Sequence, residues 1–207
     1  MLVDYSIYLV TDRDILRGRD LFESVEKAVK GGVTLVQLRE KNISGMGFYN
    51  LAVALKKLTK HYNIPLIIND RLDIALAADA DGLHIGQDDL PLTVARKLLG
   101  SRKLLGYSVS NEDEAVYGQQ NGADYLGAGT VFYTGTKTDI GEPIGAMMLE
   151  KIKKRVNIPV VGIGGINAEN AGLLKETGID GISVISAILG RDDIENAAGI
   201  LRNIWNA

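Results

Sequence analysis

The sequence contains no cysteine, which removes disulfides, thiolate metal sites and cysteine nucleophiles together. It has only two histidines, neither placed to complete a Ser-His-Asp arrangement, so a nucleophilic serine is not expected. No apolar run approaches the ~18 residues of a membrane-spanning helix. The first residues lack the basic start, long apolar core and small-residue cleavage site of a secretory leader. A net charge of −3 supplies no general basic field for nucleic acid or an anionic membrane. A cytoplasmic, soluble protein acting on small molecules is therefore expected, and this charge still allows a local cationic pocket. Nothing here predicts an oligomeric state.

What is present is ordinary globular material: 207 residues, 46% hydrophobic and 24% charged, enough to bury one sizeable core. Eight short apolar runs alternate with longer helical patterns. The runs begin at Ser6, Thr34, Ile64, Gly82, Leu104, Tyr125, Pro159 and Gly181. Asp20, Ser44 and Asn111 are suited to cap helices, and Pro91 suits a helix first turn. Gly-Ala-Asp before Tyr125, Ala-Asp-Gly before Leu83 and Gly-Ile-Asp-Gly before Ile182 are alike, and each reads as a tight helix-to-strand turn. Repeated βα units without a linker predict an α/β fold, a single (β/α)₈ TIM barrel over 1–207 forming one catalytic domain. A doubly wound open sheet is the alternative, because alternation alone does not show closure.

A barrel gathers its chemistry at the carboxyl ends of its strands, so those ends were read for function. After the second strand, alternation sends Gln37, Arg39 and Lys41 to one side, two cations and an amide suited to phosphate. The third strand ends in Asn69 and Asp70, and Asp89 follows the fourth. One such aspartate is most often a turn or cap residue; two on neighbouring strands make oxygen ligands for a divalent cation. Asp88 competes with Asp89 for that role, and Asp73 is expected to face outward. His84 reads as a core histidine and His61 as a partner for a helix dipole. Ser108 ends the fifth strand, where its hydroxyl can donate to an anion. Thr134-Gly135-Thr136-Lys137 combines hydroxyls, backbone N–H groups and a cation in the only long loop, 129–145. It reads as a phosphate site or a polar loop, and not as a P-loop. Closure of that loop over substrate is a further expectation. Gly164-Gly165 and Ile185-Ser186 follow strands seven and eight, where many barrels bind phosphate.

These pieces, YLVTD, QLREK, IIND, GLHIGQDD, GYSVS, GAGTVFYTGTK, GIGGI and SVISAI, resemble the thiamin-phosphate synthase family in order and over nearly the whole chain. The resemblance implies a transferase of thiamine biosynthesis. It would join 4-amino-5-hydroxymethyl-2-methylpyrimidine diphosphate to 4-methyl-5-(2-hydroxyethyl)thiazole phosphate, releasing pyrophosphate. It implies Mg²⁺ on Asp70 and Asp89. It places Gln37, Leu38, Arg39, Glu40, Lys41 and Asn69 on the pyrimidine diphosphate, with Ser108 and Lys137 facing the diphosphate. Arg39, Lys41, Ser108 and Lys137 would serve catalysis. Thr134, Gly135, Thr136, Gly165, Ile185 and Ser186 would hold the thiazole phosphate. A thiazole tautomerase-like relative and a non-catalytic ligand-binding regulator on the same barrel are the rival readings.

Overall fold

A computed structural model describes residues 3–133 and 142–207. Eight parallel strands close into a barrel in chain order, and the pairing of Ile7 with Ile182 and Leu9 with Val184 seals the last strand to the first. The open doubly wound sheet is thereby excluded. The strands are β1 (Ile7–Val10), β2 (Leu35–Leu38), β3 (Leu66–Asn69), β4 (Gly82–Ile85), β5 (Leu104–Val109), β6 (Tyr125–Gly129), β7 (Val160–Ile163) and β8 (Gly181–Val184). Between and after them run α1 (Arg13–Leu16), α2 (Leu21–Lys30), α3 (Gly45–His61), α4 (Leu72–Ala77), α5 (Leu92–Leu99), α6 (Glu112–Gln120), α7 (Gly145–Arg155), α8 (Ser186–Leu189) and α9 (Ile194–Asn206). Ala171–Thr177 winds as a 3-10 helix.

The capping expectations hold at three helices. Asp20 accepts from Glu23 N, Ser44 from Gly47 N and Asn111 from Glu114 N, each satisfying a donor the first turn leaves open. Two helices were not anticipated: α1, a single turn capped by Asp12, and α8, four residues long, are both too short to show a period.

Period-2 alternation splits the strands between two cores. Leu9, Val36, Leu38, Leu66, Ile68, Leu83 and Ile85 face the helices and join their apolar stripes. Tyr5, Tyr8, Leu35, Ile67, Tyr125 and Val161 fill the barrel itself. Large rings fit inside because small residues stand opposite them. A Cβ on Gly106 would lie 2.2 Å from Tyr125 Cζ and 2.3 Å from His84 Nδ1.

The three Asp-containing turns do more than reverse the chain. Asp81, Asp124 and Asp180 accept, respectively, from the backbone N–H of Leu66, Leu105 and Val160, each at 2.7 Å. Each also pairs with a cation from a helix: Lys56, Arg96 and Lys153. One carboxylate thus ties the start of a strand, the following turn and a helix at the barrel's amino-terminal end, opposite the rim that carries the site.

Candidate active site

A cavity of about 570 Å³ opens at the carboxyl ends of the strands. Its walls include Gln37, Arg39, Asn69, Ser108, Gly165, Ile185 and Ser186, so the structure brings together seven of the residues singled out from sequence. Gln37 ends inside the barrel because it lies on the strand face opposite Leu38. Arg39 follows the end of β2 and is held in place: its N–H donates to Thr11 Oγ1 at 3.0 Å, and its guanidinium meets Asp12 at 3.0 Å. Its side chain is 12% exposed, so this cation is largely fixed before any anion arrives.

Three neighbours of Arg39 are placed differently. Leu38 is fully buried against the helix layer, so its side chain does not reach the cavity. Glu40 turns to Arg13 at 3.1 Å, and burial pushes its carboxyl up. Lys41 is exposed and outside the cavity lining. The strand stops at Leu38, so alternation carries Arg39 to the mouth but does not govern Lys41. Thr134, Gly135, Thr136 and Lys137, with most of the loop expected to close, lie outside the described residues.

The two aspartates meet. Register sets Asn69 of β3 beside His84 of β4, and Asp70 N–H then donates to His84 O at 2.8 Å. Asp70 takes a left-handed conformation, φ 60°, which turns the chain abruptly after the strand. From the other side, Asp89 folds back over its own loop and accepts from Gly86 N at 2.7 Å. The Asp70 carboxyl is thereby hydrogen-bonded to Asp89. Burial and the adjacent Asp89 charge push Asp70 up to about 6, while Asn69 and Arg39 oppose the shift. Much of Asp70 remains exposed at the rim, so the neighbouring carboxylate is the part of this shift we weigh most. Asp88 is exposed, and Asp73 points outward to Arg71 at 2.5 Å.

Two carboxylates pressed together beside a fixed arginine fit a divalent cation that brings its remaining oxygen ligands with it. Among the described residues no group of three His, Asp or Glu forms a closed cage. That suits an ion shared with substrate phosphates and waters.

Across the cavity, Gly164 and Gly165 both have positive φ. Gly165 lies directly against the chain after β6: a Cβ there would sit 2.6 Å from the carbonyl oxygens of Phe132 and Tyr133. Phe132 N–H donates to Gly164 O at 3.0 Å, joining the loops after β6 and β7. Ser186 is exposed at the start of α8, after Ile185. Arg39 lies on the β2 side of the cavity, while the side formed after β7 and β8 offers backbone and hydroxyl groups together with Arg191; neither Asp70 nor Asp89 is among the lining residues.

Sequence reasoning missed several wall residues. Tyr8, Ser183, Arg17 and Arg191 carried no assignment from sequence, yet all four line the cavity. Only the cavity's outline identifies the two arginines. Tyr8 sits on a period that could have flagged it, since it shares Val10's face.

Comparison with known proteins identifies the family. Residues 7–188 match the family model described as thiamine monophosphate synthase. A thiamine-phosphate synthase of Clostridium novyi is 57% identical, over 99% of this chain and all of that protein. One from Desulfitobacterium hafniense is 56% identical over 99% of each. Among solved structures, a thiamine phosphate pyrophosphorylase from Pyrococcus furiosus superposes with a TM-score of 0.90. It is 41% identical, covering 98% of this chain and 96% of that one.

Proposed function

The chain belongs to the thiamine monophosphate synthase family, and from that premise we propose how its cavity carries out the reaction. The activity is that of a thiamine-phosphate synthase, a transferase of thiamine biosynthesis. We assign the β2–β4 side to 4-amino-5-hydroxymethyl-2-methylpyrimidine diphosphate and the β7–β8 side to 4-methyl-5-(2-hydroxyethyl)thiazole phosphate. The observation that carries the assignment is the Asp70–Asp89 pair near Arg39 at the ends of β2 to β4, apart from the Gly164–Gly165 and Ile185–Ser186 wall of the cavity.

In this reading Asp70 and Asp89 hold Mg²⁺, which neutralises charge on the diphosphate when bound. Arg39 grips diphosphate oxygens, and its Asp12 partner keeps the guanidinium oriented. We assign Lys137 to the diphosphate as a second cation, while Lys41, exposed and outside the cavity lining, adds to the field around it. Gln37, Asn69 and Ser108 orient the pyrimidine; Leu38 and Glu40 contribute through the main chain on either side of Arg39. The carbon–oxygen bond breaks with both electrons leaving on pyrophosphate, and the aminopyrimidine delocalises the positive charge on its exocyclic carbon. The thiazole nitrogen then donates its lone pair to that carbon. This nucleophile is already neutral, so no protein base is required, and the reading gives the His84–Ser108 contact no role as one. Thr134, Gly135, Thr136, Gly165, Ile185 and Ser186 hold the thiazole phosphate so that the nitrogen faces the carbon.

Among the described residues no helix is long and apolar enough to cross a membrane, and a cytoplasmic location forms part of the proposal. The test is direct. Purified protein with both substrates and Mg²⁺ should release pyrophosphate and thiamin phosphate in equal amounts. No coupled product under those conditions would sink the reading. Isomerisation of a thiazole phosphate alone would favour the tautomerase alternative.

A further inference from the structure

The barrel's interior holds a chain of hydrogen bonds that the reaction above does not use. Gln37 Nε2 donates to the Tyr8 hydroxyl at 2.6 Å, and the Tyr8 and Tyr125 hydroxyls lie 2.8 Å apart. The Tyr125 hydroxyl is 3.0 Å from His84 Nδ1, and His84 Nε2 is 3.0 Å from Ser108 Oγ. The chain runs through β2, β1, β6, β4 and β5, and ends at both extremities on cavity-lining residues. Gln37, Tyr8, His84 and Tyr125 are buried. Tyr125 and His84 occupy the space that a side chain on Gly106 would fill.

The Gln37 amide, with Nε2 toward Tyr8, gives this chain a direction. Burial pushes both phenols well up, so each keeps one hydrogen to donate. The Tyr8 oxygen accepts from Gln37, and its own hydrogen goes to Tyr125. Tyr125 in turn donates to His84 Nδ1, which serves as acceptor, so the imidazole carries its hydrogen on Nε2 and donates to Ser108. The Ser108 hydrogen is then left for the cavity. At the other end, Gln37 presents Oε1. Turning one bond requires turning every bond, since a mismatch would leave a buried donor or acceptor unpaired.

We propose that Tyr8, Tyr125 and His84 are positioning residues that set the hydrogen-bonding polarity of the substrate-facing ends, an acceptor on Gln37 and a donor on Ser108. That pattern is complementary to an aromatic ring bearing an amino group and ring nitrogens. It opposes the corresponding oxo ring, whose carbonyl and ring N–H reverse the pattern. The proposal rests on the assignment of Gln37 and Ser108 to the pyrimidine diphosphate.

The experiment is nitrogen NMR of the full chain labelled with ¹⁵N-histidine. With only His61 and His84 present, a His61→Gln variant identifies the His84 signals. Nε2 should be the protonated, pyrrole-type nitrogen and Nδ1 the pyridine-type one. Tyr125→Phe keeps the ring but removes the donor to Nδ1, and should release the tautomer preference. Tyr8→Phe should leave it intact, because the Tyr125 donation survives. In kinetics, Tyr125→Phe should lower kcat/KM for the pyrimidine diphosphate about 10-fold, leave KM for the thiazole phosphate unchanged, and narrow discrimination against the oxo analogue. A wild-type His84 protonated on Nδ1, or on both nitrogens, would overturn the proposal even if the variant failed to fold. So would a tautomer unmoved by Tyr125→Phe, or equal loss toward both substrates. Absence of coupled product from the wild-type chain would instead remove the substrate assignment, while the ring nitrogens would still report the chain's direction.

Discussion

The carboxyl groups of Asp70 and Asp89 are hydrogen-bonded to each other at the rim of the barrel. Two acids in contact oppose one another's ionisation, and this pair is held together by the fold: Asp70 by its bond to His84 O, Asp89 by the Gly86 N–H. Such an arrangement costs stability unless a cation intervenes, and it therefore connects metal binding, pH and folding.

Asp70→Asn should abolish Mg²⁺-dependent turnover while stabilising the metal-free fold above pH 6. The sign follows from the raised carboxyl. Between 3.8 and about 6 the folded state binds the proton that the unfolded state releases, so wild-type stability falls as pH rises through that window. The asparagine variant does not share this fall, and its advantage should vanish toward pH 4. Adding Mg²⁺ at pH 7.5 should raise the melting temperature of the wild type and not of the variant. Thermal scans at pH 4, 6 and 8, with and without the ion, decide it; a variant no more stable at pH 8 than the wild type would contradict the pairing.

Arg39→Ala should reduce kcat/KM for the pyrimidine diphosphate by about 10²-fold and leave KM for the thiazole phosphate nearly unchanged. Asp12 retains its cap on α1, so the barrel should stay folded. Steady-state kinetics varying each substrate in turn provide the check, and an equal loss on both would show that Arg39 acts on the whole rim.

Gly165→Ala should strike the opposite side. The added Cβ meets two carbonyl oxygens at 2.6 Å and requires φ 67° of a non-glycine residue, so the loops after β6 and β7 must separate. KM for the thiazole phosphate should rise at least ~10-fold, with little change toward the pyrimidine diphosphate. Binding of each substrate measured separately by calorimetry would reveal a mistaken assignment.

Asp124→Ala should destabilise the protein by roughly 2 kcal/mol, through loss of the charged acceptor for the Leu105 N–H and of the partner for Arg96. Asp81→Ala and Asp180→Ala should cost similar amounts, and all three variants should keep wild-type kcat well below their melting temperatures. Denaturant titrations measure this; a turnover defect in any of them would mean that the amino-terminal ties also shape the distant cavity.

Much of this protein is legible without coordinates because its signals are local. Strand alternation, caps at Asp20, Ser44 and Asn111, and the recurring Asp–Gly turns each depend on a few adjacent residues, and those rules carry directly into the βα order. The candidate site was legible wherever a strand end delivers it, as at Gln37, Arg39, Asn69, Asp70 and Ser108. It was not legible where the strand had ended, as at Lys41, or where the side chain's face was decided by packing, as at Leu38 and Glu40.

The sequence by itself determined the number of βα units, the kinds of chemical group at each strand end and, through its motifs, the family. Only the tertiary structure decided that the sheet closes, and that a histidine read as mere core stands between Tyr125 and Ser108. The reason is physical. Closure and side-chain pairing depend on distances between residues far apart in the chain, which β1–β8 pairing and the packing around Gly106 establish together, and no local period encodes them.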